Sequence, residues 1–386
     1  MPDAHITLTA ALDGDSRAHF GEMLKRSFDV ATIDHGSNGI TVSVRDDVPP
    51  AELHQALKQL LRVRRYASGD CLFVHEAPNQ QNADPQPALE AKGEVCSIAQ
   101  GLFAFRGDFL RVRTALDSRV RMIAGHCGAD ELSYPPLWPI PLLQSINYFH
   151  DFPHLALLAS GVEPEYMARA AFANRFRKGS GNAVIACTAE NGLAPAHAAL
   201  APTVCDCCYW LLRGRRDVVD QISTIYGQVF RNESSPDGRL DRLTAYTMRE
   251  IVMVGSEGFV LAKRQALLDE VAGLMVDLDL ACNIKAADDP FFSNDALQRN
   301  AYQNLSRLKY EVEVPLYDDR KTAVASINLH EDYFSRNYDF ENADGARPFS
   351  ACVGFGYERL TYALFCRHGA KLAAWPRSVC TFLELT

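Results

Sequence analysis

Two kinds of hydrophobic pattern alternate along the first 76 residues of the chain. Alternating or continuous apolar runs at residues 5–12, 30–33, 40–44 and 71–74 predict four β-strands. Helical spacing predicts a helix over residues 17–28 and a second one that begins at Pro49-Pro50. The order βαββαβ is typical of a small ferredoxin-like α+β module, which we place at residues 1–76.

The pattern changes at residues 77–93, which are polar, rich in proline and without hydrophobic periodicity. Such composition is typical of a linker. Beyond it, helical periodicity returns at residues 109–123 and 263–280, and strand-like runs surround most of the polar residues of chemical interest. We therefore expect residues 94–386 to form a larger α+β domain.

Composition narrows the class of protein. With 386 residues, 47% of them hydrophobic, the chain can bury a large core, and its net charge of −9 argues against nonspecific attraction to nucleic acid. Eleven irregularly spaced cysteines favour reduced thiols and a metal site over a disulfide framework. No run approaches the roughly 20 apolar residues that span a bilayer, and residues 1–11 lack signal-peptide features. We expect a cytoplasmic protein without a membrane partner.

The densest chemical signal is a predicted antiparallel hairpin. Residues 230–233 are followed by a turn-prone stretch at 234–238, and an extended run resumes at 246–250. Alternation places Arg231 and Glu233 on one face of the first strand. It likewise places Tyr246, Met248 and Glu250 on one face of the second, so that charged groups and an aromatic ring share a surface.

A second signal is Cys-Val-Gly-Phe-Gly-Tyr-Glu-Arg-Leu at residues 352–360. Its glycines let the backbone approach a ligand, and Arg359 follows as an anion partner. With the hairpin, this stretch resembles motifs 2 and 3 of class II aminoacyl-tRNA synthetases, and Tyr134-Pro135-Pro136 would supply the proline of motif 1.

More closely, residues 95–386 resemble the amino acid:carrier-protein ligases, truncated relatives of the atypical zinc-dependent seryl-tRNA synthetases. Further stretches in the same order support this resemblance, at residues 151–154, 289–292 and 326–330. It implies an α+β class II aminoacyl-tRNA synthetase-like fold, with an antiparallel sheet and flanking helices, and a homodimer.

The resemblance implies an ATP site. Arg231 would bind the α-phosphate, Glu233 would contact adenine, and Tyr246 would stack on the base. Arg242 and Arg359 would hold the γ-phosphate, and Mg²⁺ would assist. Because fixed guanidinium groups stabilise the charge that moves onto pyrophosphate, Arg231 and Arg359 are the candidate catalytic residues.

The resemblance also assigns Cys205, Glu250 and Cys352 as zinc ligands. Two thiolates and a carboxylate leave a fourth position open, which in the family receives the α-amino group of the substrate, so Glu250 is also a substrate-binding candidate. Cys207 and Cys208 leave the choice of thiol open. If this stretch is a strand, Cys205 and Cys207 share a face and Cys208 points away.

Four more polar residues extend the predicted site. Ser326 and Asn328 alternate with His330 on one predicted strand face and could orient ATP, magnesium or the amino acid. A hydrogen-bonded polar edge explains this pattern equally well. Lys309 resembles a family lysine near the substrate.

The expected reaction has two steps. ATP and a small amino acid, glycine or alanine, give an aminoacyl adenylate, and the phosphopantetheine thiol of a carrier protein then accepts the aminoacyl group. One alternative is a zinc-dependent seryl-tRNA synthetase. Residues 1–76 disfavour it, because they lack the heptads of a tRNA-binding coiled-coil arm and are more acidic than basic, so we expect no tRNA partner. The other alternative is a catalytically silent paralogue that binds zinc or nucleotide.

Overall fold

A computed structural model describes residues 3–7, 30–35, 39–45, 49–50, 53, 71–77, 83–176, 192–232, 238–287, 289 and 307–385. Its strands are β1 (Asp3–Thr7), β2 (Val30–His35), β3 (Gly39–Val44), β4 (Cys71–His75), β5 (Val95–Ala99), β6 (Leu102–Phe105), β7 (Asp130–Leu132), β8 (Leu137–Pro139), β9 (Leu158–Ala159), β10 (Ala198–Leu200), β11 (Gln221–Phe230), β12 (Ala245–Gly255), β13 (Cys282–Ala286), β14 (Lys309–Pro315), β15 (Lys321–Glu331) and β16 (Phe349–Gly356).

The helices are α1 (Gln86–Ala91), α2 (Gly107–His126), α3 (Ile140–Ser145), α4 (Tyr148–Asp151), α5 (Tyr166–Arg175), α6 (Asp206–Trp210), α7 (Glu257–Asp277), α8 (Tyr333–Asn337), α9 (Tyr357–His368) and α10 (Arg377–Phe382). Two 3₁₀ turns lie at Pro153–Leu155 and Leu372–Ala374. No helix in the described ranges is long and apolar enough to cross a bilayer.

An eight-stranded sheet organises the described chain, in the order β4-β13-β14-β15-β16-β12-β11-β7. Neighbouring strands are antiparallel except β7, which runs parallel to β11. The predicted hairpin is confirmed as β11 and β12, which pair from Gln221↔Val254 to Phe230↔Ala245. The expected class II antiparallel sheet with flanking helices is therefore present.

The two long predicted helices are confirmed as α2 and α7. In α2 the buried residues Phe109, Val112, Leu116 and Val120 recur at helical spacing and face the core. The Phe109 ring stacks on Phe365 of α9, with ring centroids 5.6 Å apart. This contact holds α2 against α9, and both helices cover one face of the sheet.

One buried arginine fastens this helical layer to the sheet. Arg249 of β12 is 2% exposed, and its guanidinium donates to Asp117 of α2 at 2.7 Å and to Glu131 of β7 at 3.1 Å. Because side chains alternate along a strand, the adjacent Glu250 points to the opposite face. Arg249 therefore lies on the face that is covered by helices, and Glu250 lies on the opposite face, which carries the site.

The N-terminal strands differ from the predicted module in one respect. β1, β3 and β2 form a separate three-stranded antiparallel sheet, as three of the four predicted strands. β4 is a strand as predicted, but it pairs with β13 at the edge of the large sheet. Hydrophobic alternation predicts a strand without naming its partner, and the edge of β13 offers unpaired backbone groups. The predicted helix at 17–28 lies outside the described residues.

Helix α1 lies inside the predicted linker. Gln86 is 7% exposed and Leu89 is fully buried, although the segment is too short and polar for its periodicity to be detected. The division into residues 1–76, 77–93 and 94–386 stays a prediction. β4 pairs with β13 of the large sheet, and Gln86 of α1 forms hydrogen bonds with the backbone of Gly238 and Leu240.

Candidate functional site

Three neighbouring strands bring the predicted site residues to one face of the sheet. The register pairs Asn328 of β15 with Cys352 of β16, and in the next row of this face Ser326 with Gly354. Gly354 in turn pairs with Glu250 of β12. Since paired residues point to the same face, the five side-chain positions surround one area. The predicted alternation of Ser326, Asn328 and His330 and that of Tyr246, Met248 and Glu250 agree with this register.

The third candidate metal ligand arrives from a different part of the chain. Cys205 stands at the N-terminus of α6, and the preceding Val204 N–H donates to Glu250 Oε1 at 3.4 Å. The thiols of Cys205 and Cys352 and a carboxylate oxygen of Glu250 lie within 4.8 Å of one another. All three residues are buried. The structure thus assembles the predicted ligand set.

Local packing around this cluster fits a divalent metal ion. Glu250 Oε2 is buried and has no hydrogen-bond partner among the described residues. A Cβ at Gly354 would lie 3.3 Å from Glu250 Cγ and 3.2 Å from Met248 Cε, so the glycine leaves room for the carboxylate. Two thiols and a carboxylate are ligands for borderline and soft divalent ions. A metal ion would satisfy the otherwise unpaired oxygen.

Negative charge on this cluster is unfavourable in the absence of a cation. The hydrogen bond with Cys352 and, as the next largest cause, burial raise the pKa of the Cys205 thiol well above its usual range. The same hydrogen bond lowers the pKa of Cys352, but burial and the nearby Glu250 carboxylate outweigh it and the net shift is upward. Burial also raises the pKa of Glu250. Each shift reflects the cost of concentrating negative charge in a buried space, which a cation would relieve.

Two polar side chains of β15 support Cys352. Asn328 Nδ2 donates to Cys352 Sγ at 3.4 Å, and it also donates to Ser326 Oγ at 3.1 Å. His330 Nε2 lies 3.4 Å from the same sulfur. Burial lowers the pKa of His330 to about 4, so the imidazole is neutral near pH 7. A donated N–H stabilises a thiolate ligand and fixes its orientation, which Asn328 does here and the Nε2–H tautomer of His330 would also do.

An aromatic wall stands beside His330. Tyr209 of α6 stacks on Phe334 of α8 with ring centroids 3.9 Å apart, and both rings are buried. The imidazole of His330 packs edge-on against Phe334 at 4.9 Å. These rings restrict the space next to Cys352.

Residues 206–210 form a helix, so the arrangement expected for a strand, with Cys205 and Cys207 on one face, is wrong. Cys208 N–H donates to the Cys205 carbonyl at 2.8 Å, so these two residues lie one helical turn apart, on the same side of α6. Burial and the charge of Glu250 raise the pKa of Cys208, whereas that of Cys207 is raised by burial and Asp206. Cys208, rather than Cys207, therefore lies on the Cys205 side of α6 and is influenced by the charge of Glu250.

Asp206 was not predicted as part of the site. It is 4% exposed, its Oδ1 lies 3.8 Å from Cys205 Sγ, and burial together with Glu250 raises its pKa to about 7. The signal in the sequence was a carboxylate inside a run of three cysteines.

The structure also brings together three of the predicted ATP-binding residues. The guanidinium carbons of Arg231 and Arg359 lie 5.8 Å and 5.9 Å from the centre of the Tyr246 ring. Arg231 follows the last residue of β11 instead of lying within the strand, and its Nε donates to the Pro202 carbonyl at 3.1 Å. The Arg231 N–H still donates to the Thr244 carbonyl at 2.9 Å, so the backbone pairing of the hairpin reaches Arg231. Glu233 lies outside the described residues.

Two further predicted residues lie at the margin of this group. Arg242 is partly buried on the segment that leads into β12. Lys309 of β14 pairs with Asn328, which places it on the site face. Its ammonium contacts Asp289 at 2.7 Å and Glu311 at 3.0 Å. Burial lowers the pKa of Lys309, but these carboxylates outweigh it and keep the side chain charged.

Comparison with known proteins places this geometry in context. No family model matches the sequence. The chain is 32% identical over 324 residues to amino acid–acyl-carrier-protein ligase 2 of Bradyrhizobium diazoefficiens, a match that covers 81% of this chain and 93% of that protein. Ligase 1 of the same organism is 29% identical over 319 residues, covering 80% of this chain and 94% of that protein.

More distant relatives are tRNA ligases. The type-2 serine–tRNA ligase of Methanocaldococcus jannaschii is 23% identical over 304 residues, which covers 76% of this chain but 58% of that protein. Among solved structures, M. kandleri seryl-tRNA synthetase in complex with A. aeolicus tRNASec matches with a TM-score of 0.71 and 16% identity, over 99% of this chain and 77% of the other. The structural match shows the fold: that of a class II seryl-tRNA synthetase. Because four-fifths of the sequence aligns with nearly the whole of a carrier-protein ligase at 32% identity, the chain belongs to the amino acid–acyl-carrier-protein ligase family.

Proposed function

We propose that this protein uses ATP to activate a small amino acid, glycine or alanine, and transfers it to the phosphopantetheine thiol of a carrier protein. One observation carries the proposal. The buried cluster of Cys205, Glu250 and Cys352 shares its sheet with the Arg231–Tyr246–Arg359 group, in a chain collinear with two ligases named for this class of reaction.

In the first step a carboxylate oxygen of the amino acid attacks the α-phosphorus of ATP. The bond between the α-phosphorus and the bridging oxygen breaks, and pyrophosphate leaves with the electron pair. Arg231 directly follows β11 and Arg359 lies in the first turn of α9, and their guanidinium carbons lie 5.8 Å and 5.9 Å from the centre of the Tyr246 ring, so they can stabilise the growing charge without rearrangement. Mg²⁺ bound with ATP would neutralise part of the phosphate charge.

The amino acid needs a separate anchor, because glycine and alanine offer almost no side chain. Zinc held by Cys205, Glu250 and Cys352 would supply a Lewis-acid position for the α-amino group. Asn328 and His330 orient Cys352, and the Tyr209–Phe334 wall limits the adjoining space. Since one methylene is worth only about 1–3 kcal/mol in a pocket, small changes in this wall suffice to alter the substrate.

In the second step the carrier thiol attacks the carbonyl carbon of the aminoacyl adenylate. AMP leaves, the thiol proton is released, and a thioester forms. By the same resemblance we propose that the protein is a homodimer, which light scattering of the purified chain would test.

The decisive experiment is ATP–pyrophosphate exchange with each amino acid in turn, on zinc-loaded protein. We expect exchange with glycine or alanine, loss of exchange in Cys205→Ser, and retention in Cys127→Ser, a matched thiol at the end of α2 outside the cluster. The radiolabelled amino acid is then offered to a phosphopantetheinylated carrier and to tRNA. Exchange with serine alone and charging of tRNA would identify a seryl-tRNA synthetase instead, whereas no exchange by folded, zinc-loaded protein would favour the binding or regulatory alternative.

A further inference from the structure

Gln86 connects the segment before β5 to residues 238–244, the part of the β11–β12 connection that leads into β12. It begins α1, within the stretch whose composition predicts a linker, and it is 7% exposed. Its Nε2 donates to the Gly238 carbonyl at 2.8 Å, and its Oε1 accepts from Leu240 N–H at 3.2 Å. One amide side chain therefore satisfies two backbone groups of the limb that returns to β12.

Asp84 makes a second connection two residues earlier. Its Oδ2 accepts from Arg239 Nη1 at 3.0 Å. Its Oδ1 accepts from the Tyr362 hydroxyl at 2.7 Å and from Gln86 N–H at 2.9 Å. The single carboxylate thus joins the return limb to helix α9.

These contacts lie close in sequence to two arginines of the predicted ATP site. Arg239 precedes Arg242 by three residues on the return limb, and Tyr362 follows Arg359 by three residues, almost one turn along α9. Arg242 and Arg359 are the two groups assigned to the γ-phosphate. Asp84 therefore links the two chain segments that must converge on the same phosphate.

The return limb depends on such partners. Residues 238–244 lie outside the strands, and apart from the Thr244 carbonyl, which accepts from Arg231 N–H at 2.9 Å, their backbone groups are not paired in the described sheet ladder. Besides Gln86, the limb is held by Gly101, whose carbonyl accepts from Thr244 N–H at 2.9 Å, and by Arg320, which donates to Asp241 at 2.8 Å. Asp84 and Gln86 are the contacts that come from the segment before β5.

We propose that Asp84 and Gln86 are positioning residues for the triphosphate end of the ATP site, an inference that rests on the proposed ATP-dependent function. They act through residues 238–244 and through α9, and they touch no reacting atom. Fixing both arginine-bearing segments before ATP binds removes the cost of ordering them during the reaction, because misplacement of a charged group by a fraction of an ångström weakens its contact with phosphate.

The test uses two near-isosteric changes in the full chain, Gln86→Met and Asp84→Asn. Each removes hydrogen bonds to the limb, so we expect the KM for ATP in pyrophosphate exchange to rise about tenfold, with the KM for the amino acid and the zinc content unchanged. Matched controls are Gln265→Met and Asp269→Asn, an exposed hydrogen-bonded pair on α7. These controls should leave both KM values at the wild-type level.

Several outcomes would overturn the inference. An unchanged KM for ATP in both variants would do so, and so would equal rises in the two KM values accompanied by a lower melting temperature, which is the pattern of a merely structural role. If the wild-type protein exchanges no pyrophosphate, the proposed function itself fails. The positioning role is then judged by calorimetric titration with ATP, where a Kd about tenfold higher in both variants supports it and an unchanged Kd refutes it.

Discussion

Replacing Glu250 with glutamine separates the metal-binding role of this side chain from its packing. Glu250 is 3% exposed, and its Oε2 lacks a hydrogen-bond partner among the described residues. Glutamine preserves the size of the side chain but removes the negative charge that would stabilise a divalent ion beside two thiols. We expect the variant to fold and to bind zinc much more weakly.

The size of the effect follows from linkage between binding and unfolding. Loss of a group that supports a metal ligand lowers affinity about 10–100-fold, and loss of a charged ligand should reach at least the upper value. With free zinc at about 100 times the wild-type Kd, zinc stabilises the wild-type protein by about 2.7 kcal/mol. A variant with about 100-fold weaker affinity is half saturated under the same conditions, and its stabilisation falls to about 0.4 kcal/mol.

Without metal the order of stabilities is expected to level or reverse. Burial raises the pKa of Glu250, which reports that the folded protein disfavours the charged carboxylate. The neutral amide avoids this cost, so the metal-free variant should be at least as stable as metal-free wild-type protein.

The assay is urea unfolding followed by tryptophan fluorescence, in a zinc buffer and in a chelator. Glu358→Gln is the matched control, since Glu358 is 2% exposed and its carboxylate contacts Arg113 at 2.9 Å and Thr247 N–H at 2.7 Å. This control should lose stability in both conditions and keep the full zinc increment. A wild-type zinc increment in Glu250→Gln would refute the assignment of this carboxylate as a ligand.

Three other predictions concern groups around the site. Replacing Arg249 with methionine leaves Asp117 without its arginine partner and Glu131 with Arg121 alone, and it should lower the free energy of unfolding by about 3 kcal/mol in urea, with zinc content unchanged; a loss below about 1 kcal/mol would show that solvent and Arg121 already satisfy the two carboxylates. Replacing His330 with phenylalanine keeps the aromatic packing but removes a donor to Cys352, so zinc affinity measured against a competing chelator should fall about 10–100-fold. His330→Gln should recover part of that affinity, and equal affinities in the two variants would contradict a donor role. Because the pKa values of the Cys205 and Cys352 thiols are raised, zinc loading at pH 7 should release about two protons, and zinc affinity should weaken as the pH falls. Calorimetry in buffers of different ionisation enthalpy measures this release, and none would mean that the thiols are already ionised.

The sequence by itself determined the local elements and the chemical inventory. Helices α2 and α7 and the β11–β12 hairpin follow from hydrophobic periodicity. The buried side of a helix repeats every three or four residues, and the buried face of a strand repeats every two. The resemblance to the ligases named the candidate ligands, which are spread over 148 positions of the chain from Cys205 to Cys352.

Tertiary structure decided which of these residues meet. Alternation predicts the face on which Asn328 lies, but only the register of β15 with β16 places it beside Cys352, and register depends on partners far along the chain. Partners far along the chain also decide that β4 pairs with β13 in the large sheet. They likewise decide that Gln86, in a polar segment without periodicity, binds the backbone of Gly238 and Leu240. Tertiary structure also decides which thiol lies on the same side as Cys205, since α6 is too short to show a helical pattern in the sequence. Local pattern reports the conformation of a segment, whereas the partner of that segment is chosen by the packing of the whole core.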